Sequence, residues 1–265
     1  MAKLQKKSLA DREAIHQILN KFWGYSTFRP LQEEIILSVL QGRDTLALMP
    51  TGGGKTITFQ VPSMLMDGLC LVITPLIALM KDQLDFLLAH NIPAARLDST
   101  LERDDYNSIL ESAKNGQLKI LMIAVERFKN ERFRAHLEKM EVTLLVVDEA
   151  HCISQWGHDF RPDYTRLAEF RQVMNNPTTM ALTATATPKV QEDIIKNLMI
   201  TDAKVFKASF NRPNLFYEIR PKTKNVDADI IRFVKKNVGK SGIIYCLSRK
   251  RVEELRADLK ASTTS

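Results

Sequence analysis

The segment Met49-Pro50-Thr51-Gly52-Gly53-Gly54-Lys55-Thr56 constrains this chain more than any other. The apolar run Thr45-Leu46-Ala47-Leu48 before it predicts a buried strand. Ile57, Phe59, Val61 and Met64 after it predict an apolar-rich helix. Strand, glycine-rich loop and helix in that order make a phosphate-binding loop. The glycines let backbone N–H groups turn inward with no Cβ in the way, and the helix N-terminus adds partial positive charge. Lys55 is placed to reach β- and γ-phosphates, and the Thr56 hydroxyl to ligate Mg²⁺. The strict pattern has glycine six residues before the lysine, where this chain carries Met49. The competing reading, a glycine-rich turn with a surface lysine, leaves the flanking strand and helix unexplained.

A chain of 265 residues accommodates one large α/β domain or two smaller ones. No apolar run approaches the ~20 residues of a membrane span. No hydrophobic segment follows the basic start Met1-Ala2-Lys3-Leu4-Gln5-Lys6-Lys7, so no signal peptide is expected. Cys70, Cys152 and Cys246 are far apart and odd in number, which predicts neither a disulfide framework nor zinc. The expectation is a cytoplasmic protein, nucleoid-associated in a bacterium, with no membrane partner. Lys and Arg total 38 against 31 Asp and Glu, and the net charge of +7 favours polyanions, nucleic acid above all. Many basic enzymes never touch DNA, so charge alone does not decide.

Short apolar runs alternate with amphipathic helices. Strands are predicted at Thr45–Leu48, Leu69–Thr74, Ile120–Ala124, Leu144–Val147 and Met180–Leu182, each near-continuously apolar as a strand covered on both faces must be. In Leu76–His90 the residues Leu76, Leu79, Met80, Leu84, Leu87 and Leu88 share one face at the helical period. The fold class that follows is α/β, a mostly parallel sheet with helices on both faces. Ligands of such sheets gather at the carboxyl ends of the strands. The rhythm breaks near Phe210-Asn211-Arg212-Pro213-Asn214. Beyond it a helix at Asp229–Val238, a strand at Gly242–Cys246 and a helix at Arg249–Leu259 predict the opening of a second βα domain. The expected division is 1–208, a linker at 209–221, and an incomplete second domain at 222–265.

Leu144-Leu145-Val146-Val147-Asp148-Glu149-Ala150-His151 delivers two adjacent carboxylates to that edge. Neighbours on a strand point to opposite faces, so their tasks differ. Asp148 is placed to hold Mg²⁺, and Glu149 to orient or deprotonate an attacking water. In Cys152–Pro162, Trp156, His158, Phe160 and Arg161 crowd a glycine-containing loop. Aromatics beside cations suit stacking on splayed bases, whereas the bland alternative tucks the loop onto the core. For Trp156 both readings stand open. Thr183 and Thr185, in Ala181-Leu182-Thr183-Ala184-Thr185-Ala186-Thr187-Pro188, are placed to link phosphate state to that loop. Thr187 and Pro188 read as an N-cap and first helical residue. Upstream, Pro30 opens a helix with Glu33 and Glu34 in its first turn and Gly42 past its end. Gln32 has the paired donor and acceptor that match adenine N6 and N7, and Arg29 can stack on a base.

Together these segments resemble the RecQ family of superfamily 2 DNA helicases. The ordered matches are FRPLQ at 28–32 with the preceding Phe22–Tyr25, MPTGGGKT at 49–56, TPLIALMKDQ at 74–83, VDEAHCISQWGHDFRPDY at 147–164, ALTATATP at 181–188 and SGIIYCLSRK at 241–250. The run from Asp148 to Tyr164 is the most specific, and the resemblance extends roughly from Leu19 to Leu259. It implies a RecA-like P-loop NTPase domain and ATP-driven unwinding of duplex DNA with 3′→5′ polarity, in repair and recombination. By the same resemblance Tyr25, Arg29 and Gln32 hold adenine, while Thr51, Gly52, Gly53, Gly54, Lys55 and Thr56 hold phosphates and Mg²⁺. Lys55, Asp148, Glu149 and His151 then form the catalytic group. Ser154, Gln155, Trp156, His158, Phe160 and Arg161 sense single-stranded DNA, with Pro75, Lys81, Glu126 and Arg127 along the strand's path. At 124–127 this chain reads Ala-Val-Glu-Arg where the family usually has proline before the glutamate. The resemblance also implies a second lobe that supplies arginines across the cleft. A chain without them is expected to bind ATP and DNA weakly and not to unwind.

Overall fold

Apolar runs without alternation pack only where both faces of a sheet are covered. The computed structural model, which describes residues 2–98, 100–209, 211, 214–222 and 224–263, places them in such a sheet. Its strands are β1 (Thr45–Leu48), β2 (Leu69–Ile73), β3 (Ala94–Leu97), β4 (Ile120–Ile123), β5 (Val142–Val147), β6 (Thr178–Thr183) and β7 (Lys204–Lys207). All pairings are parallel, in the order β3-β4-β2-β5-β6-β1-β7. Helices α1 (Ala2–Trp23) and α2 (Gln32–Leu40) precede β1. The crossovers carry α3 (Lys55–Leu65), α4 (Ile77–Ala89), α5 (Arg103–Lys114), α6 (Glu131–Leu137), α7 (Leu167–Val173) and α8 (Pro188–Asn197).

The period of two along each strand divides the core between two faces. Ala47, Val72, Leu144, Val146 and Leu182 pack with Ile35, Phe59, Met80 and Leu87 of α2, α3 and α4. Leu46, Leu71, Leu145, Val147 and Ala181 pack with Leu110, Phe133, Phe170 and Ile194 of α5, α6, α7 and α8. The strand order matters for function because β1, β6 and β5 lie side by side. Leu48 stands opposite Thr183, and Val147 opposite Ala181. The phosphate loop, the threonine segment and the two carboxylates therefore leave adjacent strands at the same edge.

Several expectations are corrected. In α4 only Met80 and Leu87 are buried, while Leu76, Leu79 and Leu88 are exposed. The helix meets the sheet along a narrower stripe than its sequence suggests. Pro30 does not open α2. The helix starts at Gln32, because Leu31 takes a left-handed backbone (φ 69°) and a turn closes from Gln32 N–H to the Arg29 carbonyl at 3.1 Å. Strands β3 and β7 and helix α1 are additions to the predicted elements.

The chain divides into two compact units, Met1–Asn211 and Arg212–Ser265. The predicted break at Phe210, Arg212 and Pro213 lies outside the described residues. In the second unit α9 (Val226–Lys236) and α10 (Arg249–Thr263) form, and Arg251 pairs with Asp227. The segment 242–246 is extended but joins no ladder, so the strand predicted there is absent among the described residues. Its Ile243 and Tyr245 side chains face solvent. No helix among the described residues is long and apolar enough to cross a membrane.

Candidate active site

Gly52 and Gly54 of the loop after β1 take a left-handed backbone, and Gly53 is pressed against the backbone of Pro50. A Cβ on Gly54 (φ 79°) would stand 2.3 Å from Gln32 Nε2, and one on Gly53 would stand 2.8 Å from the Pro50 carbonyl oxygen. Met49, in the place of the expected glycine, turns away from the cradle. It is buried with the α2–α4 core, and its N–H donates to the Thr183 carbonyl at 3.0 Å. That bond ties the loop to the end of β6.

The segment before α2 reaches over this loop. Gln32 is buried, and its Nε2 donates to the Gly53 and Gly54 carbonyls at 3.3 and 3.1 Å. Its Oε1 accepts the Arg29 N–H at 2.8 Å, and the Arg29 guanidinium donates to the Gly52 carbonyl. A buried amide must satisfy both its ends, and here the loop and its own turn satisfy them. The donor–acceptor pair expected to read adenine is thus directed at the phosphate loop. Tyr25 and Thr51 are exposed, and Thr56 is half-buried.

Opposite the loop, Lys55 Nζ lies 3.5 Å from Glu149 Oε1. Glu149 takes a left-handed backbone (φ 48°, ψ 45°) that turns the chain from β5 into a short helical turn at Ala150–Ile153. Its other oxygen, Oε2, lies 3.2 Å from His151 Nδ1, which is also 3.0 Å from Thr183 Oγ1. Thr183 Oγ1 donates to the Thr185 carbonyl at 3.2 Å, so the consistent assignment puts the imidazole proton on Nδ1, shared between Glu149 and Thr183. This bond from His151, aided by Lys55 against burial, holds the Glu149 carboxyl below its ordinary pKa. Asp148 differs. Burial, then the Glu149 carboxylate, push its pKa up, while Lys55 pulls the other way.

The network continues into the aromatic loop. The rings of His151 and His158 stack with centroids 3.9 Å apart, and His158 Nδ1 lies 3.3 Å from Thr185 Oγ1. Ser154, buried, donates to Asp193 Oδ2 at 2.5 Å and accepts the Trp156 N–H at 3.1 Å. Gly157 passes so close to the His151 carbonyl oxygen that a Cβ would sit 2.3 Å from it. Trp156 itself is 67% exposed, which answers the open question: its ring is not tucked onto the core. Gln155 and His158 are exposed, and Phe160 and Arg161 half-buried. Arg161 pairs with Asp159 at 3.1 Å. Pro75 and Lys81 follow β2, and Glu126 and Arg127 follow its neighbour β4. The Arg127 guanidinium lies 5.6 Å from the Tyr106 ring centre.

Sequence reasoning singled out the residues of this edge but missed Asp193 and Lys189 on α8. Lys189 Nζ stands 4.6 Å from the centre of the Trp156 ring. The only sequence signal was their spacing, which puts both on one face of a helix that the Thr187 cap begins.

Among the described residues no three His, Cys, Asp or Glu side chains cluster to hold a metal by themselves. The donor set fits a cation held mainly by phosphate oxygens. Mg²⁺ takes one or two protein ligands beside substrate phosphates, and the raised Asp148 carboxyl faces a site where added positive charge offsets its burial.

A parallel sheet with a phosphate loop on β1 and an Asp-Glu pair on β5 defines a RecA-like α/β domain. The chain belongs to the DEAD/DEAH box helicase family, whose profile matches residues 29–194. It is 42% identical over 243 residues to the ATP-dependent DNA helicase RecQ of Haemophilus influenzae, covering 92% of this chain and 39% of that protein. It is 44% identical over 253 residues to the ATP-dependent DNA helicase Q-like 4B of Arabidopsis thaliana, covering 92% of this chain and 22% of that protein. The chain therefore spans well under half the length of these curated relatives. The crystal structure of the DUF1998 helicase MrfA superposes with a TM-score of 0.69 at 16% identity, over 95% of this chain and 41% of that one. At that identity the likeness speaks for the fold alone. The RecQ resemblance of the motifs is carried by the relatives at about 40% identity.

Proposed function

We propose that this chain comprises the nucleotide-binding lobe and the start of the second lobe of a RecQ-type 3′→5′ DNA helicase. In this reading residues 1–208 bind and hydrolyse ATP, 209–221 link, and 222–265 belong to a second lobe. The observation that carries it is the unbroken path Lys55–Glu149–His151–Thr183, which continues through His158 to the exposed aromatic loop.

The N–H groups of Gly52, Gly53 and Gly54 and the Lys55 ammonium receive the phosphates. Thr56 and Asp148 hold Mg²⁺, which supplies charge neutralisation at the phosphate oxygens. When phosphate arrives, Lys55 exchanges Glu149 for it. Glu149, already held ionised by His151, then accepts a hydrogen bond from the attacking water and orients it. His151 keeps the carboxylate in place while Thr183 holds the imidazole. Tyr25 and Arg29 contact the base, with Gln32 fixing the loop. Ser154, Gln155, Trp156, His158, Phe160 and Arg161 receive a single strand, with Pro75, Lys81, Glu126 and Arg127 along its path and Thr183 and Thr185 carrying its presence to Glu149. DNA junctions are the substrates, repair or recombination proteins the partners, and the cytoplasm the compartment.

The test is Glu149→Gln. Binding of a fluorescent ATP analogue is expected to persist, while DNA-stimulated hydrolysis falls by about 100-fold or more. A chain that binds no nucleotide, or hydrolysis indifferent to this substitution, overturns the reading. Stimulation by RNA but not by single-stranded DNA overturns the choice of substrate.

A further inference from the structure

The aromatic loop is fastened at two points and open between them. Ser154 holds it to Asp193 of α8, and His158 holds it to Thr185. Between these points Trp156 projects into solvent, 67% exposed. An exposed indole on a fastened loop offers a flat apolar face and a polar edge to a partner. The Trp156 N–H is fixed by the same Ser154 hydroxyl that binds Asp193, so the indole is presented from an anchored backbone.

Lys189 completes this presentation. It lies four residues before Asp193 on α8, and residues so spaced share a helix face. The Asp193 carboxylate is engaged by Ser154, and among the described residues no ion pair involves Lys189. Its ammonium instead stands over the indole at 4.6 Å. A cation over an exposed aromatic ring is held weakly and exchanges readily for an anion. Base and phosphate are what such a pair recognises at once: a planar π-face for the indole and a negative oxygen for the ammonium.

We propose that Lys189 contacts a phosphate of single-stranded DNA and forms one nucleotide subsite with Trp156. The proposal rests on the reading that the loop receives a single strand. In the DNA-free protein Lys189 covers part of the indole. A base stacking on Trp156 displaces it, and the ammonium moves to the phosphate of the stacked nucleotide. No bond is made or broken.

The experiment is titration of a fluorescein-labelled oligothymidylate over a range of salt concentrations. Each phosphate contact on a single strand contributes about 0.7 to the slope of log affinity against log salt. Lys189→Ala is expected to lower the magnitude of that slope by about this amount and to weaken binding several-fold at low salt. Lys189→Arg is expected to keep the slope. Trp156→Ala is expected to weaken binding with the slope unchanged. Alanine is well tolerated on an exposed helix face, so the variant folds. An unchanged slope for Lys189→Ala overturns the proposal even if affinity falls, because the lysine then only props the indole. An effect confined to oligouridylate overturns the assignment to DNA. If the parent chain binds no oligothymidylate at all, the loop reading fails and takes this proposal with it, a result distinct from an unchanged slope.

Discussion

Burial and then the Glu149 carboxylate both oppose a charge on Asp148 and raise its pKa. A group whose folded pKa is raised stabilises the fold at low pH and loses that contribution as pH rises through the folded value. At a pH above the folded value the ionised Asp148 is therefore a cost to the nucleotide-free fold. Above that value Asp148→Asn is expected to raise stability in Mg-free, nucleotide-free buffer. The gain should shrink as pH falls and the parent carboxyl becomes neutral, and chemical denaturation across pH measures it. A gain that grows on acidification would contradict the assignment. Asn keeps the oxygen that accepts the Glu149 N–H, so the turn survives. At this scale the convergence of Lys55 with Glu149 was legible, because each stands in a segment of its own recognisable pattern. Gln32 was singled out from its segment, but its bonds to the Gly53 and Gly54 carbonyls were not foreseen, because only the tertiary fold brings them within reach. Lys189 was silent for the same reason.

At the far ends of the strands, elements are fastened by one ion pair with unusually many attachments. Arg171 of α7 donates to Asp44 Oδ2 at 2.7 Å, to Thr179 Oγ1 at 2.9 Å and to the Met199 carbonyl at 3.0 Å. Asp44 also accepts the Thr179 N–H at 2.8 Å, joining the starts of β1 and β6. Removing one partner leaves the other charge poorly compensated in a half-closed site. Arg171→Ala should cost about 2–3 kcal/mol, read as a fall in denaturation midpoint with nucleotide affinity unaltered. A change below a few tenths would show the cluster to be idle. The elements best foreseen were central strands such as β5, whose unbroken aliphatic run has no other home. Strand β7, Lys-Val-Phe-Lys, escaped notice because it is an edge strand that buries Phe206 alone and carries a lysine at each end, so it shows no apolar run. Ala94–Leu97 escaped because alanines carry little strand preference. The run Gly242–Cys246 erred the other way: its residues favour a strand, but among the described residues it joins no ladder.

Taken whole, the molecule concentrates its packing in Met1–Asn211. In the second unit Leu255 is the one apolar side chain classed as buried among the described residues, and α9 buries none. Hydrogen exchange should therefore show α9 and α10 exchanging fast and β1, β5 and β6 slowly. Mg-ATP at about a hundred times its Kd should add about 2.7 kcal/mol of protection to the strands that carry the site. Uniform exchange along the chain would refute this division. The order of the sheet also bears on how the site comes into being during synthesis. Strand β1 has only β6 and β7 for neighbours, and both are made long after it. Distant pairings of this kind form late, and chains emerge from the ribosome N-terminus first. The nascent phosphate cradle thus waits, without strand partners, until Thr183 clears the exit tunnel, and nucleotide cannot assist the early steps of folding.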